Sequence, residues 1–241
     1  MDRTLVCLLI AMGIVGVVHA QISALRGQLV PERYTTLATE IAAKIDRIGA
    51  SEGQSFVANQ TLVEFDCALP KAQLAKAQAE LDGSNRVVAS NELLLNLRSI
   101  GEIELAQAQT AQRKAAAEVQ LSKAVLSKCA IAAPFNGRVS VQSAREQQFV
   151  QPGQPLLEII ADDSLELQFL MPSIWLKKVK VGSTLNVLID ETGTTHKARI
   201  KRFGARVDPV SQSIKVAATI EDKQRVLIAG MSGQVQLINS R

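Results

Sequence analysis

A ten-residue segment that occurs twice constrains this chain more than any other feature of its sequence. FVANQTLVEF, residues 56–65, aligns without a gap to VQPGQPLLEI, residues 150–159, at an offset of 94. Three identities support the alignment: Gln60 with Gln154, Leu62 with Leu156, and Glu64 with Glu158. Each copy indicates short strands around tight turns, and at about 30 residues neither could bury a core alone. We therefore expect the two copies to pack together as one β-sandwich.

The segment between the copies, residues 67–129, has the pattern of two antiparallel helices. Apolar residues recur every seven positions, which is typical of a coiled-coil seam. The seam positions are Cys67, Leu74, Leu81, Val88 and Leu95 on the first helix, and Leu105, Gln112, Val119 and Leu126 with Ala108, Ala115, Ser122 and Cys129 on the second. Arms of about 30 residues would be roughly 45 Å long. Such a hairpin is either a purely structural coiled coil or an arm that reaches a partner.

Cys67 and Cys129 both lie on the predicted seam, so their relative position indicates the register in which the two helices pair. If the two cysteines face each other, the numbers of facing residues sum to about 196, which places the turn near residue 98. An independent turn signal, residues 98–101, lies at that point. One interpretation is a disulfide that closes a loop of about 60 residues and stabilises the fold by about 2 to 4 kcal/mol. The other is a pair of buried thiols that fill the seam.

The predicted turn also collects candidate contact residues. Leu94, Leu95, Arg98 and Ile100 cluster around it. Apolar side chains at the end of a two-helix arm have no core to enter. We expect these residues to contact a partner protein or a neighbouring tip, and the alternative is that they only close the loop.

The C-terminal part, residues 163–241, alternates apolar and polar residues in the manner of half-buried strands. Five segments show the pattern, and a short helix is predicted over residues 172–179 between the first two. The segments are LELQFLM, TLNVLID, HKARIKRFG, QSIKVAATI and GQVQLIN. Together with one strand from residues 21–38 they would close a small antiparallel β-barrel, which leaves no unpaired edge.

The first twenty residues, MDRTLVCLLIAMGIVGVVHA, have the pattern of a secretory signal. Their apolar run of about 14 residues is short for a bilayer span, which needs about 20. We expect cleavage after Ala20, the alternative being an uncleaved N-terminal anchor. Export would remove Cys7 and leave Cys67 and Cys129 in an oxidising compartment.

Several classes of function lack their residues in this chain. After cleavage His196 is the remaining histidine, so a histidine-based metal site, a Ser-His-Asp triad and a Cys-His dyad are incomplete. P-loop, GxGxxG and HExxH motifs do not occur. The 27 basic and 23 acidic residues are spread along the chain without the basic block that nucleic-acid binders carry. We therefore expect no catalysis, no cofactor, no metal and no nucleic-acid partner.

Four segments, in this order along the chain, resemble the membrane fusion proteins, the periplasmic adaptors of resistance-nodulation-division (RND) efflux pumps. CAIAAPFNGRV, residues 129–139, is similar to the entry into the second half of that family's lipoyl-like domain, and VQPGQPLLEI to its exit. ARVDPVSQSIKV, residues 205–216, and LIAGMSGQVQL, residues 227–237, are similar to the family's barrel signatures. The resemblance spans nearly all of the chain after residue 20.

The resemblance implies a scaffold that works by assembly. Family members form rings or funnels, here expected to be trimers or hexamers, with hairpins directed at an outer-membrane channel and barrels nearer an inner-membrane RND-type pump. The family's common tip pattern of arginine, leucine and serine is absent: a leucine is available at Leu94, but Ser90 and Gly101 occupy the other two places. The chain ends near the point where many relatives begin a membrane-proximal domain, so we expect pump docking to use the barrel and the N-terminal segment.

The expected fold class is α+β, elongated and built of several modules: a lipoyl-like β-sandwich split by an antiparallel α-helical coiled-coil hairpin and followed by a small antiparallel β-barrel. The expected boundaries are a signal peptide at 1–20, an N-terminal strand joining the barrel at 21–38, sandwich halves at 39–66 and 130–162, the hairpin at 67–129 and the barrel at 163–241. Two alternatives remain. One is an adaptor of an ATP-driven exporter or a type I secretion system, and the other is a lipoyl or biotinyl carrier domain.

Overall fold

A computed structural model describes residues 25–162, 164–221 and 227–237 of the chain. The signal peptide predicted over 1–20, its cleavage point after Ala20, and Asp163 lie outside these residues. The described part contains a closed β-barrel, two four-stranded sheets and a pair of long helices. The predicted combination of a barrel and a helical hairpin is confirmed.

The barrel is formed by β1 and by five strands from the C-terminal part. Around the barrel the order is β1-β10-β13-β12-β11-β14, with every pair antiparallel. Its aliphatic core includes Leu29, Leu167, Met171 and Leu185, all fully buried. The strands are β1 (Leu25–Pro31), β10 (Leu165–Pro172), β11 (Thr184–Ile189), β12 (Thr195–Asp208), β13 (Ser213–Ile220) and β14 (Ser232–Leu237). In place of the helix predicted over residues 172–179, a shorter 3₁₀ helix, Ser173–Lys177, follows β10.

The two remaining sheets share one core and contain the sequence repeat. Their orders are β2-β9-β7-β4 and β6-β5-β3-β8, and residues from both sheets, such as Ile45, Leu62 and Leu156, pack in the same cluster. The strands are β2 (Tyr34–Ala38), β3 (Ala43–Ile48), β4 (Ser55–Phe56), β5 (Thr61–Phe65), β6 (Ala130–Ala132), β7 (Gly137–Gln142), β8 (Phe149–Val150) and β9 (Pro155–Ile160).

The offset of 94 extends through this whole sandwich. It carries β3, β4 and β5 onto β7, β8 and β9, and the registers follow it: Ile45 pairs with Phe65, and Val139 with Ile159. The backbone hydrogen bonds between the two halves are related by the same offset. Gly53 N–H donates to the Val139 carbonyl at 2.9 Å, and Gln147 N–H donates to the Ile45 carbonyl at 2.8 Å. The sandwich therefore has an internal two-fold relationship.

The segment predicted to give one barrel strand, residues 21–38, instead contributes to two bodies. β1 pairs with β10 and β14 in the barrel, whereas β2 pairs with β9 in the sandwich. The chain bends at Glu32 and Arg33, between the two strands. Leu29 consequently lies in the barrel core and Leu37 packs against the sandwich core. The prediction that this segment forms one strand of the barrel is wrong because two charged residues, Glu32 and Arg33, separate two independent strands.

Candidate functional site

The hairpin is the part of the molecule that extends beyond both β cores. α1 (Ala68–Asn96) and α2 (Glu102–Ser127) follow β5 and precede β6, so the hairpin is inserted between the two halves of the sandwich. Two hydrogen bonds fix its register: Gln112 Nε2 donates to Asn85 Oδ1 at 2.9 Å, and Asn91 Nδ2 donates to the Glu104 carbonyl at 3.4 Å. Their residue numbers sum to 197 and 195, on either side of the expected 196.

The interior of the hairpin is made mostly of small side chains. The seam positions predicted from the seven-residue spacing are all buried or half-buried, and Val88, Ala108, Val119 and Ser122 are the buried ones within the helices. A further line on α1, absent from the prediction, contains Ala77, which is 3% exposed. Small residues let the helices approach closely but bury little apolar area, so the hairpin gains limited stability from its own interior.

The base of the hairpin is tied to the sandwich. Cys67 and Cys129 are joined by a disulfide, with Cα atoms 6.0 Å apart. Asp66 Oδ1 accepts a hydrogen bond from Ala68 N–H at 3.2 Å at the start of α1. Lys128 Nζ lies 2.7 Å from Glu40 Oε2, an ion pair that reaches from the end of α2 to the chain segment after β2. These contacts fix the direction in which the hairpin leaves the sandwich.

The turn at the other end of the hairpin is short and well capped. Arg98 has φ +56°, the left-handed conformation that ends a helix, and Ser99 N–H donates to the Leu94 carbonyl at 2.8 Å. α2 begins with Gly101 N–H donating to Glu104 Oε2 at 3.1 Å, which satisfies one backbone donor at the helix start. The turn therefore presents a defined surface.

The structure places the four predicted tip residues differently. Leu94 is 38% exposed and Arg98 is exposed, whereas Leu95 and Ile100 are half-buried. Leu95 is one of the predicted seam positions, so its half-buried side chain belongs to the contact between α1 and α2.

The most exposed apolar residues at this end are three that the prediction omitted. Leu93, Leu97 and Ile103 are 61%, 65% and 72% exposed. A signal for two of them was available, because Leu93 and Leu97 are each two positions from Leu95, and two positions rotate a side chain by about 200° around a helix. We call Leu93, Leu94, Leu97, Arg98 and Ile103 the hairpin tip.

An open groove of about 990 Å³ lies between α1 and α2 on one face of the hairpin. Buried Ala77 and Ala108 contribute to it, and Val87 and Leu121 beside it are more than half exposed. Both helices add charges of both signs to the lining, namely Lys76, Glu80, Lys114 and Glu118. Shallow, apolar and flanked by both signs of charge, this groove has the character of a packing surface for another helix.

An ion cluster lies on the barrel wall near the sandwich. The Glu166 carboxylate is 2% exposed, accepts a hydrogen bond from Arg202 Nη2 at 2.8 Å, and lies 3.2 Å from Lys201 Nζ, which also bonds Glu32. A register shift in β12 between Ile200 and Arg202 lets two consecutive basic residues reach one carboxylate. The hydrogen bond from Arg202 holds the pKa of Glu166 below its ordinary value.

The described residues offer little for chemistry. They contain no group of three or more His, Cys, Asp or Glu side chains that could hold a metal ion. His196 is buried in the barrel, its Nε2 lies 2.7 Å from Thr194 Oγ1, and its Nδ1 lacks a partner. Within the same described part, no helix combines the length and the apolar character that crossing a membrane requires.

Sequence comparison finds distant relatives over most of the chain. No protein-family model matches. Nodulation protein NolF from Rhizobium meliloti is 23% identical over 220 residues, and Multidrug resistance protein MdtA from Proteus mirabilis is 22% identical over 225 residues. The alignments cover 85% and 84% of this chain but 60% and 55% of those proteins. The chain thus spans little more than half the length of the curated relatives it matches.

Solved structures match the fold as a whole. The membrane fusion protein Spr0693 from Streptococcus pneumoniae R6 has a TM-score of 0.77 and 14% identity, covering 90% of this chain and 99% of its own. A MacA-MexA chimeric protein containing the Pseudomonas aeruginosa MexA α-hairpin domain also has a TM-score of 0.77, with 21% identity, covering 89% of this chain and 79% of its own.

Proposed function

Because this chain has the fold of the membrane fusion proteins, as its sequence predicted, we propose that it is a periplasmic adaptor that links an inner-membrane RND-type efflux pump to an outer-membrane channel for export of small molecules. The observation that carries the proposal is the hairpin tip. Leu93, Leu97 and Ile103 are more than half exposed at the end of a helical arm that has no core to receive them. A partner that covers this tip accounts for their exposure.

The two-fold sandwich supports the same proposal. We propose that it is a lipoyl-like domain, in which the hairpin replaces the short turn that would join the two halves. A carrier domain would need its modified lysine on that turn. The lysines nearest the hairpin base have other surroundings: Lys128 pairs with Glu40, and Lys71 and Lys123 are exposed on helix surfaces. A lipoyl or biotinyl adduct on the purified protein would instead support a carrier.

Assembly into a ring, a trimer or a hexamer, is the third element of the proposal. The groove between α1 and α2 offers small apolar side chains bordered by charges of both signs, so the hairpin of a second copy could cover it. Burial of Val87 and Leu121, now more than half exposed, would add apolar contact that the thin interior of a single hairpin lacks. Chemical crosslinking in cells should then recover oligomers of the chain together with a pump protein.

The decisive experiment compares two substitutions at opposite ends of α1. Leu97→Asp places a charge at the tip, directly after the helix, whereas Leu69→Asp places it in the first turn at the base, where the leucine is 69% exposed against 65% for Leu97. Surface changes of this kind alter stability by only about 0.5 kcal/mol. A photo-crosslinking residue at position 94 should recover an outer-membrane protein from wild type and Leu69→Asp, and none from Leu97→Asp.

Two outcomes would contradict the proposal. If Leu97→Asp and Leu69→Asp crosslink equally well, the tip is not a docking surface. If Leu97→Asp lowers the thermal midpoint by several degrees, the tip residues only close the turn. The N-terminal sequence of the exported protein distinguishes the proposed adaptor from an adaptor of an ATP-driven exporter. Adaptors of ATP-driven exporters commonly retain an N-terminal membrane helix, which cleavage of the signal would exclude.

A further inference from the structure

The connection between β10 and β11 closes the end of the barrel with side chains that face two ways. Trp175 and Leu176 pack against the barrel core, and Val179 is 9% exposed within it. The same connection turns Ile174 and Val181 outward, 67% and 61% exposed. A segment that only sealed the barrel would need the first group, whereas no residue in the described part of the chain covers the second group.

The turn between β12 and β13 lies beside this connection. Ser173 N–H donates to the Gln212 carbonyl at 2.8 Å, which joins the two loops. Asp208 Oδ1 accepts hydrogen bonds from Val210 N–H at 3.1 Å and Ser211 N–H at 2.8 Å, so the turn is held in one shape. At its tip Val210 is 92% exposed. The turn therefore holds an apolar side chain out into solvent.

Lysines are concentrated on the connection between β10 and β11, next to Ile174 and Val181 in the sequence. Lys177, Lys178 and Lys180 are exposed on the same connection, and no acidic residue occurs in the sequence between Glu166 and Asp190. The acidic residue nearest Val210 in the sequence is Asp208, whose carboxylate is already engaged by the turn. Glu221 is paired with Arg199, which also donates to the Gly182 carbonyl. Exposed apolar side chains among lysines are the combination that favours an anionic headgroup surface, since lysine stems lie along the interface while the ammonium groups meet phosphate.

We propose that this surface, the barrel-end patch of Ile174, Lys177, Lys178, Lys180, Val181 and Val210, docks on the anionic surface of a lipid bilayer. A protein partner fits less well, because lysine is depleted at protein interfaces and the patch lacks the aromatic or arginine anchors that dominate them. The contact goes beyond the proposed adaptor function, which needs only protein partners. It would orient the barrel on the membrane independently of a pump.

Vesicle binding tests the patch in the absence of any pump. The chain from Gln21 onward contains every strand and helix described above and lacks the apolar N-terminal run. It should bind vesicles of phosphatidylglycerol and phosphatidylcholine in equal parts, should not bind phosphatidylcholine alone, and should lose binding as salt is added. At about 1 kcal/mol per lysine, Lys177→Gln with Lys178→Gln should weaken binding by about 25-fold. Ile174→Ser with Val210→Ser should weaken it by about tenfold.

The matched control is Lys71→Gln with Lys123→Gln, which removes the same charge from exposed positions on the hairpin. It should bind vesicles as the wild type does. Equal loss in the control, or equal binding to both kinds of vesicle, would overturn the proposal. Absence of vesicle binding together with patch-dependent crosslinking to a membrane protein would overturn it in favour of a protein partner, and would leave the adaptor function intact.

Discussion

Reduction of the disulfide between Cys67 and Cys129 should destabilise the hairpin and the sandwich while leaving the barrel unchanged. The bond closes a loop of 62 residues that contains both helices. The chain-entropy relation for a loop of that length gives about 4 kcal/mol of stabilisation, through the restricted unfolded state. Because the seam buries mostly small side chains, a loss of that size is a large part of the stability that these two bodies can have.

The molecule supplies its own internal control for this measurement. Its single tryptophan, Trp175, packs against the barrel core, so tryptophan fluorescence follows the barrel. Far-UV circular dichroism is dominated by α1 and α2 and follows the hairpin. Urea unfolding of oxidised and reduced wild type should show the dichroism transition at lower urea after reduction, with the fluorescence transition unmoved. Reduction leaves both side chains in place, so the difference reports the bond and not a cavity.

The Cys67→Ala and Cys129→Ala double variant should behave like the reduced protein, with a further small loss because Cys67 is 4% exposed. Thiol labelling of denatured, unreduced protein gives the direct test. Two reactive thiols would refute the disulfide. A loss of less than about 1 kcal/mol on reduction would instead refute the loop-entropy argument and leave the bond in place.

Two further changes test the ion cluster and the sandwich. Glu166→Gln should lower the free energy of unfolding by about 2 kcal/mol at neutral pH, measured by urea titration. Because the folded pKa of Glu166 is depressed, this contribution is complete above the unfolded value near 4.3 and vanishes as pH falls through the folded value. A loss that stays the same across that pH range would contradict the argument. Gly137→Ala would place a Cβ 2.0 Å from a β9 carbonyl oxygen and should cost more than about 3 kcal/mol of folding stability. Gly83→Ala, where a Cβ meets nothing within 4 Å, should add about 1 kcal/mol of helix stability. Thermal melts in which Gly137→Ala is the more stable variant would contradict this geometry.

The sequence predicted the features that rest on periodicity. The offset of 94 identified the repeat from ten residues, and the structure extends it to every strand of the sandwich. The seven-residue spacing identified the seam lines of the two helices, and pairing Cys67 with Cys129 on those lines predicted the register of the hairpin within one residue. These signals are repeated many times along the chain, so local exceptions such as Gln112 do not erase them.

Features that depend on a single bend or on small side chains could not be predicted in the same way. The division of residues 21–38 between barrel and sandwich depends on a bend at Glu32 and Arg33, directly after Pro31. A single proline at the end of a strand does not by itself show that the next strand joins another sheet. The inner line of α1 that contains Ala77 carries no hydrophobic signal, because an alanine on a helix seam looks like an alanine on its surface. The tip was located correctly, but its outward face depends on where α1 ends.

The internal two-fold of the sandwich also determines how a mechanical load would cross the molecule. The hairpin is attached through the paired strands β5 and β6, and the barrel through β9 and β2, which occupy the equivalent places in the other half. Each appendage therefore joins the centre by two neighbouring strands instead of one swivelling linker. Tension between the arm and the barrel would pass from one sheet to the other as shear across their common apolar layer. The sandwich would therefore transmit force and torque between the hairpin and the barrel with little deformation.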